Sequence, residues 1–282
     1  MAGRPAERAL VTVTPAWSGA FDRGALEEVA GLPLERVREW AFAGATGAGV
    51  RVAVVDSGVD ADHPRVGGIA GGVWFETDPT AERGYVEREG LHADLVGHGT
   101  ACAAIIRSIA PEAEIHSVRV LGANLKGRGA LLRAGVDWCV AHRMQVANLS
   151  LSSTSEAMFA PLHEVADQAY FAGTVLVCAA NNLPGPTYPS QYAAVISVAA
   201  RQGDEMMALA YNAHPPVEFG ARGIDIDVAW ADHGSITGTG NSFAAPHVTG
   251  MVALMRSKHP WLTPFQVKAV LQAASVNSLS GR

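Results

Sequence analysis

Short apolar runs recur along the chain, separated by longer stretches in which apolar residues fall three to four positions apart. The runs "RVAVV" (51–55), "EIHSVRV" (114–120), "VANLSL" (146–151), "TVLVCAA" (174–180) and "AVISVAA" (194–200) predict buried strands. The stretches "GALLRAGVDWCVAH" (129–142) and "APLHEVADQAYFAG" (160–173) predict helices. Strand and helix alternate, which predicts a three-layer α/β fold: a mostly parallel central sheet with helices on both faces. Two helices close the chain. The first follows the glycine-rich "GTGNS" (238–242), with Pro246 expected in its first turn. The second starts at "LTPFQ", where Thr263 caps, Pro264 takes the first position and Gln266 completes a capping box. Residues 66–95, rich in glycine and charge, predict an exposed loop.

Residues 1–46 lack the alternation and read as an N-terminal extension, with short amphipathic helices at "DRGALEEVAG" (22–31) and "PLERVREWAF" (33–42). Residues 47–282 read as one domain, since 282 residues at 49% hydrophobic content suffice for one large core. The formal net charge is −6 with no run of like charges, so neither nucleic acid nor membrane is expected as a partner. Arg4, Glu7 and Arg8 interrupt the N-terminus where a secretory signal needs apolar residues. No later segment approaches the roughly 18 apolar residues of a membrane span. Cys102, Cys139 and Cys178 are odd in number, widely spaced and set among apolar residues. They are expected to be buried free thiols of a cytoplasmic protein.

Four places set polar groups at a strand end or helix start, where ligands collect in open α/β sheets. Asp56 ends "VAVVD"; alone it is equally a turn aspartate bonded to its own backbone. His98 stands between Gly97 and Gly99 before an apolar helix, a turn that histidine rarely needs for packing. Asn181 and Asn182 follow a strand of small residues; they suit a plain loop, or a carboxamide donor facing a cleft. Ser242 begins a helix, either as a cap or as a nucleophile. A serine nucleophile needs an imidazole to take its proton, and the imidazole needs a carboxylate to orient it. The chain supplies one of each, which favours the nucleophile.

These residues stand in segments that resemble the subtilisin-like serine proteases: "VAVVDSGVDADHP", "GHGTACAAI", "NLSLSS", "VLVCAANN", "YPSQY" and "GTGNSFAAPHVTGMVALM". The resemblance covers roughly residues 47 to 275 and preserves the family's order of acid, base and nucleophile. It implies that Ser242 attacks a peptide carbonyl, His98 acts as base and then acid, and Asp56 orients His98. Asn182 and the Ser242 backbone N–H would hold the oxyanion. It implies a peptide or protein substrate laid as a strand between "LKGRG" (125–129) and "LSLSS" (149–153). Leu125, Lys126, Gly127, Ser150, Leu151, Ser152, Ala179, Ala180, Asn181 and Thr187 would contact that substrate. Tyr188–Pro189 would be a cis bond beside the specificity pocket.

The chain also departs from the family pattern. The helix after His98 runs without the insertion that binds calcium in many relatives, so no cofactor or metal is expected. Asp60, Asp62 and Asp94 read as a solvated turn rather than an ion site. Asn241 replaces the usual threonine, Asn181 a glycine, and Ser152 a glycine; each added side chain is expected to narrow or polarise the cleft. Cys102 reads as a small core residue, although some relatives place a thiol beneath the histidine. The segment "ALVTVTPAW" (9–17) suits an inhibitory strand over the cleft or an ordinary edge strand. The expected activity is a serine endopeptidase of restricted specificity, processing precursor or leader peptides. The alternatives are a catalytically silent peptide-binding relative, and a transpeptidase or macrocyclase using the same acyl-enzyme. A lipase-like hydrolase is disfavoured because no G-x-S-x-G surrounds Ser242.

Overall fold

The computed structural model describes residues 36–277. Its centre is β1 (Arg51–Asp56), in which every residue after Arg51 is buried. Parallel strands flank it on both sides: β4 (Glu114–Arg119) on one and β5 (Val146–Leu149) on the other. Beyond β5 the parallel set continues through β6 (Val175–Ala179), β7 (Ile196–Arg201) and β9 (Phe219–Arg222). Beyond β4 lies β2 (Gly71–Thr77), also parallel, and the edges are the antiparallel β3 (Tyr85–Glu89) and β8 (Ala210–Tyr211). The order is β3-β2-β4-β1-β5-β6-β7-β9-β8. A hairpin of β10 (Ile226–Ala229) and β11 (Ser235–Gly238) stands apart from it.

Both faces of the sheet are covered, which is why its inner strands read as unbroken apolar runs. On one face lie α2 (His98–Ile109) and α5 (Asn241–Lys258), packed against each other. On the other lie α3 (Gly129–Ala141) and α4 (Phe159–Ala172), whose Leu131, Leu132, Trp138, Leu162 and Val165 fill one core layer with Val55, Val118 and Leu149. The short α1 (Val37–Phe42) packs on α5 and on α6 (Pro264–Ala273). Thr263 and Gln266 form the expected capping box at the start of α6. Among the described residues no helix is long and apolar enough to cross a membrane.

The connections explain where a site forms. From β1 the chain passes through α2 to β4 on one side; from β4 it passes through α3 to β5, on the opposite side of β1. Successive crossovers thus leave β1 and β5 toward opposite faces, and a crevice opens at their carboxyl ends. The register pairs Val55 with Leu149, so Asp56 and Ser150 emerge side by side at that crevice. Leu149 in turn pairs with Cys178, which brings the Ala179–Asn182 segment next in line.

Several expectations need correction. Residues 66–95 are not wholly loop: β2 and β3 pair antiparallel there, and the register of β2 on β4 supplies the hydrogen bonds that its glycines and charges obscured. Of the helix expected over 33–42, residues 33–35 lie outside the described residues and Val37–Phe42 is helical. The strands β8 to β11 had no sequence signal strong enough to be assigned. Segments 9–17 and 22–31 lie outside the described residues. Pro246 falls in the second turn of α5, because the helix already starts at Asn241.

Candidate active site

Asp56 closes β1 and is wholly buried. Its Oδ1 accepts the Ser57 backbone N–H at 2.7 Å, so the turn-aspartate reading holds in part. The same Oδ1 lies 2.8 Å from His98 Nδ1, which is the contact an orienting acid requires. Burial alone would push the His98 imidazole down; the charge and hydrogen bond of Asp56, with Asp94 beyond, more than reverse this and hold it above its ordinary value of 6.5.

Two glycines let His98 sit there. Gly97 has φ +107°, and a Cβ on it would lie 2.5 Å from the Ala231 backbone nitrogen. A Cβ on Gly99 would lie 2.0 Å from the Gly58 carbonyl oxygen, so α2 can start this close to the β1 turn only without a side chain. The first N–H groups of α2 are then satisfied from outside the helix. Asp94 Oδ2 accepts from Thr100 N at 2.9 Å, and Ser57 Oγ accepts from Gly99 N at 3.1 Å. Asp94 Oδ1 also accepts from Ser57 Oγ and Val96 N. Asp94 therefore braces the turn that presents the imidazole, a role the sequence reading missed. Its negative charge at a helix start was the available signal.

Ser242 is the second residue of α5, so its backbone N–H has no acceptor within the helix. On the carbonyl side of the same residue, Pro246 lacks the N–H that would normally bond the Ser242 carbonyl four residues back. Ser150 Oγ takes that place, donating to Ser242 O at 2.7 Å. Ser150 Oγ in turn accepts from Asn148 Nδ2 at 3.0 Å, and Asn148 Oδ1 accepts from Thr249 Oγ1 at 2.9 Å. A buried polar chain thus ties the end of β5 to α5 at Ser242 and at Thr249. Asn148, a wholly buried amide inside the "VANLSL" run, was the legible sign of it.

Asn182 follows β6, and its Oδ1 accepts the Asn241 N–H at 2.9 Å. A Cβ built on Gly240 would lie 3.3 Å from Ser242 Oγ and 3.6 Å from Asn182 Nδ2, so that glycine leaves open the space both groups border. Asn241 does not narrow the cleft as expected. Its Oδ1 accepts from Ala200 N at 2.8 Å, while its Nδ2 donates to the carbonyls of Ala180 and Asn181 at 3.1 and 2.9 Å. It clamps α5 to the ends of β6 and β7 instead.

His98, Ser242, Asn182, Ser150, Leu151, Ser152, Ala179, Ala180, Asn181 and Leu125 line one cleft of about 370 Å³. Among the described residues no hydrogen bond joins Ser242 Oγ to His98; such contacts tighten when substrate binds. Phe243 and Trp230 flank the imidazole, with ring centroids 5.5 and 6.4 Å away. Lys126 and Gly127 lie one cavity further out, in a pocket that shares Leu121, Leu125, Leu151 and Ser152 with the cleft. The segment 125–128 is a turn rather than a strand, with Leu125 at φ +55° and its N–H bonded to Gly122 O. Thr187 stands outside the cleft lining: it is 1% exposed, with Oγ1 2.7 Å from Ser190 Oγ, and the neighbouring Tyr188–Pro189 bond is cis.

Cys102 is buried, as a core residue would be, yet it also lies beneath the acid and nucleophile. Its sulfur is 3.3 Å from Ser150 Oγ, 3.6 Å from Ser242 O and 3.9 Å from Asp56 Oδ2. Burial, and then the Asp56 charge, push its thiol well above the usual range. Asp60 Oδ1 accepts from Asp62 N at 3.1 Å, and Asp60 Oδ2 lies 3.3 Å from His233 Nε2.

Comparison with known proteins gives the same direction as the geometry. A family model described as "Subtilase family" matches residues 47–281. The minor extracellular protease Epr of Bacillus subtilis (strain 168) is 33% identical over 84% of this chain, and the alignment covers 36% of Epr. The thermostable alkaline protease of Halalkalibacterium halodurans is 33% identical over 80% of this chain and covers 62% of that relative. The chain therefore spans less than two thirds of the length of these two proteins. A crystal structure titled as a cold adapted subtilisin-like serine proteinase superposes with a TM-score of 0.68 at 26% identity, covering 90% of this chain and 94% of the other.

Proposed function

The chain belongs to the subtilase family, whose members are serine endopeptidases, and from that premise we propose that it hydrolyses peptide bonds through an acyl-enzyme on Ser242. The observation that carries the reading is the 2.8 Å contact of Asp56 with His98 Nδ1, made by an imidazole that lines one cleft with Ser242 and Asn182. With Nδ1 engaged, Nε2 is the nitrogen left to take the Ser242 proton as Oγ attacks the carbonyl carbon. The new C–O bond pushes negative charge onto the carbonyl oxygen. Asn182 Nδ2 and the Ser242 N–H are the donors for it. His98 then returns its proton to the leaving amine, and water repeats the sequence to release the acid.

Restricted specificity is part of the proposal. Ser152 and Asn181 both line the cleft where the family pattern has glycine. A narrowed, more polar cleft suits selected peptides, such as precursors or leaders, rather than bulk degradation. A reducing, cytoplasmic location is proposed as well; its support is that Cys102, Cys139 and Cys178 are all buried as free thiols.

An active-site fluorophosphonate probe tests the chemistry. Labelling of the wild-type protein, lost in both Ser242→Ala and His98→Ala, is the expected result. A folded protein that takes no label is instead a peptide-binding relative. Digestion of a mixed peptide library against casein tests the specificity, and rapid unselective casein breakdown overturns it.

A further inference from the structure

We infer that the outer part of the cleft selects substrates carrying an acidic side chain at a fixed distance from the cut, and that Lys126 and Arg128 are the residues that select it. The inference rests on the peptidase reading and names the substrate class of that same site.

The catalytic cleft does not end at Ser242. Through Leu125 and Leu151 it opens into a second cavity of about 310 Å³, which also contains Leu121 and Leu132. Lys126 and Arg128 stand on its rim, both exposed. They border a third cavity as well, of about 430 Å³, on the other side of the same turn.

The charges around this rim do not cancel. Glu76, the acid lining that third cavity, is already held by Arg119 at 3.1 Å and Arg88 at 3.7 Å. On the neighbouring helix Arg133 is paired with Asp137 and Glu164. Among the described residues no carboxylate lies within ion-pair distance of Lys126 or Arg128. In a chain of net charge −6, two exposed cations with no carboxylate partner among the described residues thus flank a leucine-floored pocket that adjoins the catalytic cleft. An apolar floor with a charged rim focuses the local field on whatever enters. The matching substrate has an apolar residue for the leucines and a nearby aspartate or glutamate for the rim.

The test is cleavage of a mixed peptide library by the full chain, read by mass spectrometry. Asp and Glu are expected to be enriched at one or two fixed positions relative to the cut, by about 1.5- to 5-fold for each cation, the range for exposed ion pairs. The enrichment should fall sharply in 1 M salt, where the screening length is about 3 Å. In Lys126→Glu/Arg128→Glu the preference should invert toward Lys and Arg. Neutral selection at every position, or an acidic preference that survives the reversal, overturns the inference while leaving the peptidase reading intact. If nothing is cleaved, that reading falls, and capture of the library on the Ser242→Ala protein still decides the charge preference by the same two outcomes.

Discussion

The Ser150 hydroxyl donates a 2.7 Å hydrogen bond to the main-chain carbonyl of Ser242. That carbonyl is free because Pro246 has no N–H to give it, so a side chain from the residue after β5 completes the turn that carries Ser242. Ser150→Ala would leave the Asn148 amide without its acceptor and reduce Ser242 O to a weak contact with a thiol. Stranding such buried groups costs about 1–3 kcal/mol. The expected outcome is a melting temperature lower by about 3–10 °C, measured by calorimetry in a Ser242→Ala background to prevent self-digestion.

Asn182 is held through its Oδ1 by the Asn241 N–H, which leaves the amide nitrogen for the oxyanion. Asn182→Ala should therefore keep the fold and lower kcat by about 10²–10³, with KM little changed. Steady-state kinetics on one peptide decide it; an equal loss spread over KM would assign Asn182 to ground-state binding.

Catalysis needs neutral His98, and the imidazole is held above 6.5 by the buried Asp56. The acid limb of kcat/KM is accordingly expected above pH 6.5, and in Asp56→Asn it should move down while kcat falls by about 10⁴. The stability effect has the opposite sign. A raised imidazole contributes stability that is fully present below its unfolded value and is lost as pH climbs through the folded one. Activity and this part of stability thus trade off over the same window, which a pH series of rates and urea midpoints would display.

His247, one turn along α5 from the nucleophile helix start, behaves in the reverse sense. Burial pushes its imidazole down to about 4, although its Nδ1 bonds Phe243 O at 2.9 Å. The unfolded chain takes up a proton near pH 6.5 while the folded one resists until about 4, so stability is full above 6.5 and is lost as pH falls across that interval. The loss amounts to about 3 kcal/mol, at about 1.4 kcal/mol per pH unit. Comparing urea midpoints at pH 7 and pH 4.5 should show a smaller drop in His247→Gln than in its parent, both as Ser242→Ala proteins.

Ligand atoms of Asp56, His98 and Cys102 lie within 4.8 Å of one another. An organomercurial that reaches Cys102 would spread the acid from the base above it, so inhibition is expected, and Cys102→Ala should abolish it. Iodoacetamide should spare the same thiol in the native protein, because burial and the Asp56 charge suppress the thiolate. Fast alkylation without unfolding would contradict the placement.

The parts of this molecule legible from the sequence are those where one physical demand dominates. Covered strands such as β1 and β5 are mostly apolar, Val52–Val55 without a break, so they stood out as runs. The capping box at Thr263 is local, and it formed as read. What stayed hidden depends on partners distant in sequence. Asn241 looked like bulk in the cleft because nothing local reveals that Ala180, Asn181 and Ala200 hold its amide. Thr187 was expected at the substrate, and the hydroxyl of Ser190, three residues on, engages it instead. Gly71–Thr77 read as loop because its strand character comes from pairing with β4, not from its own composition.

The order of segments along the chain has one further result. The carboxylate and the imidazole emerge before residue 100, whereas the hydroxyl that they activate sits at 242, on a helix seated against β5, β6, β7 and β9. During synthesis, no partial product contains both a formed sheet and its nucleophile until those strands have left the ribosome. Under the proposed peptidase reading, a growing chain therefore carries no complete site until the strands that seat the Ser242 helix are already outside.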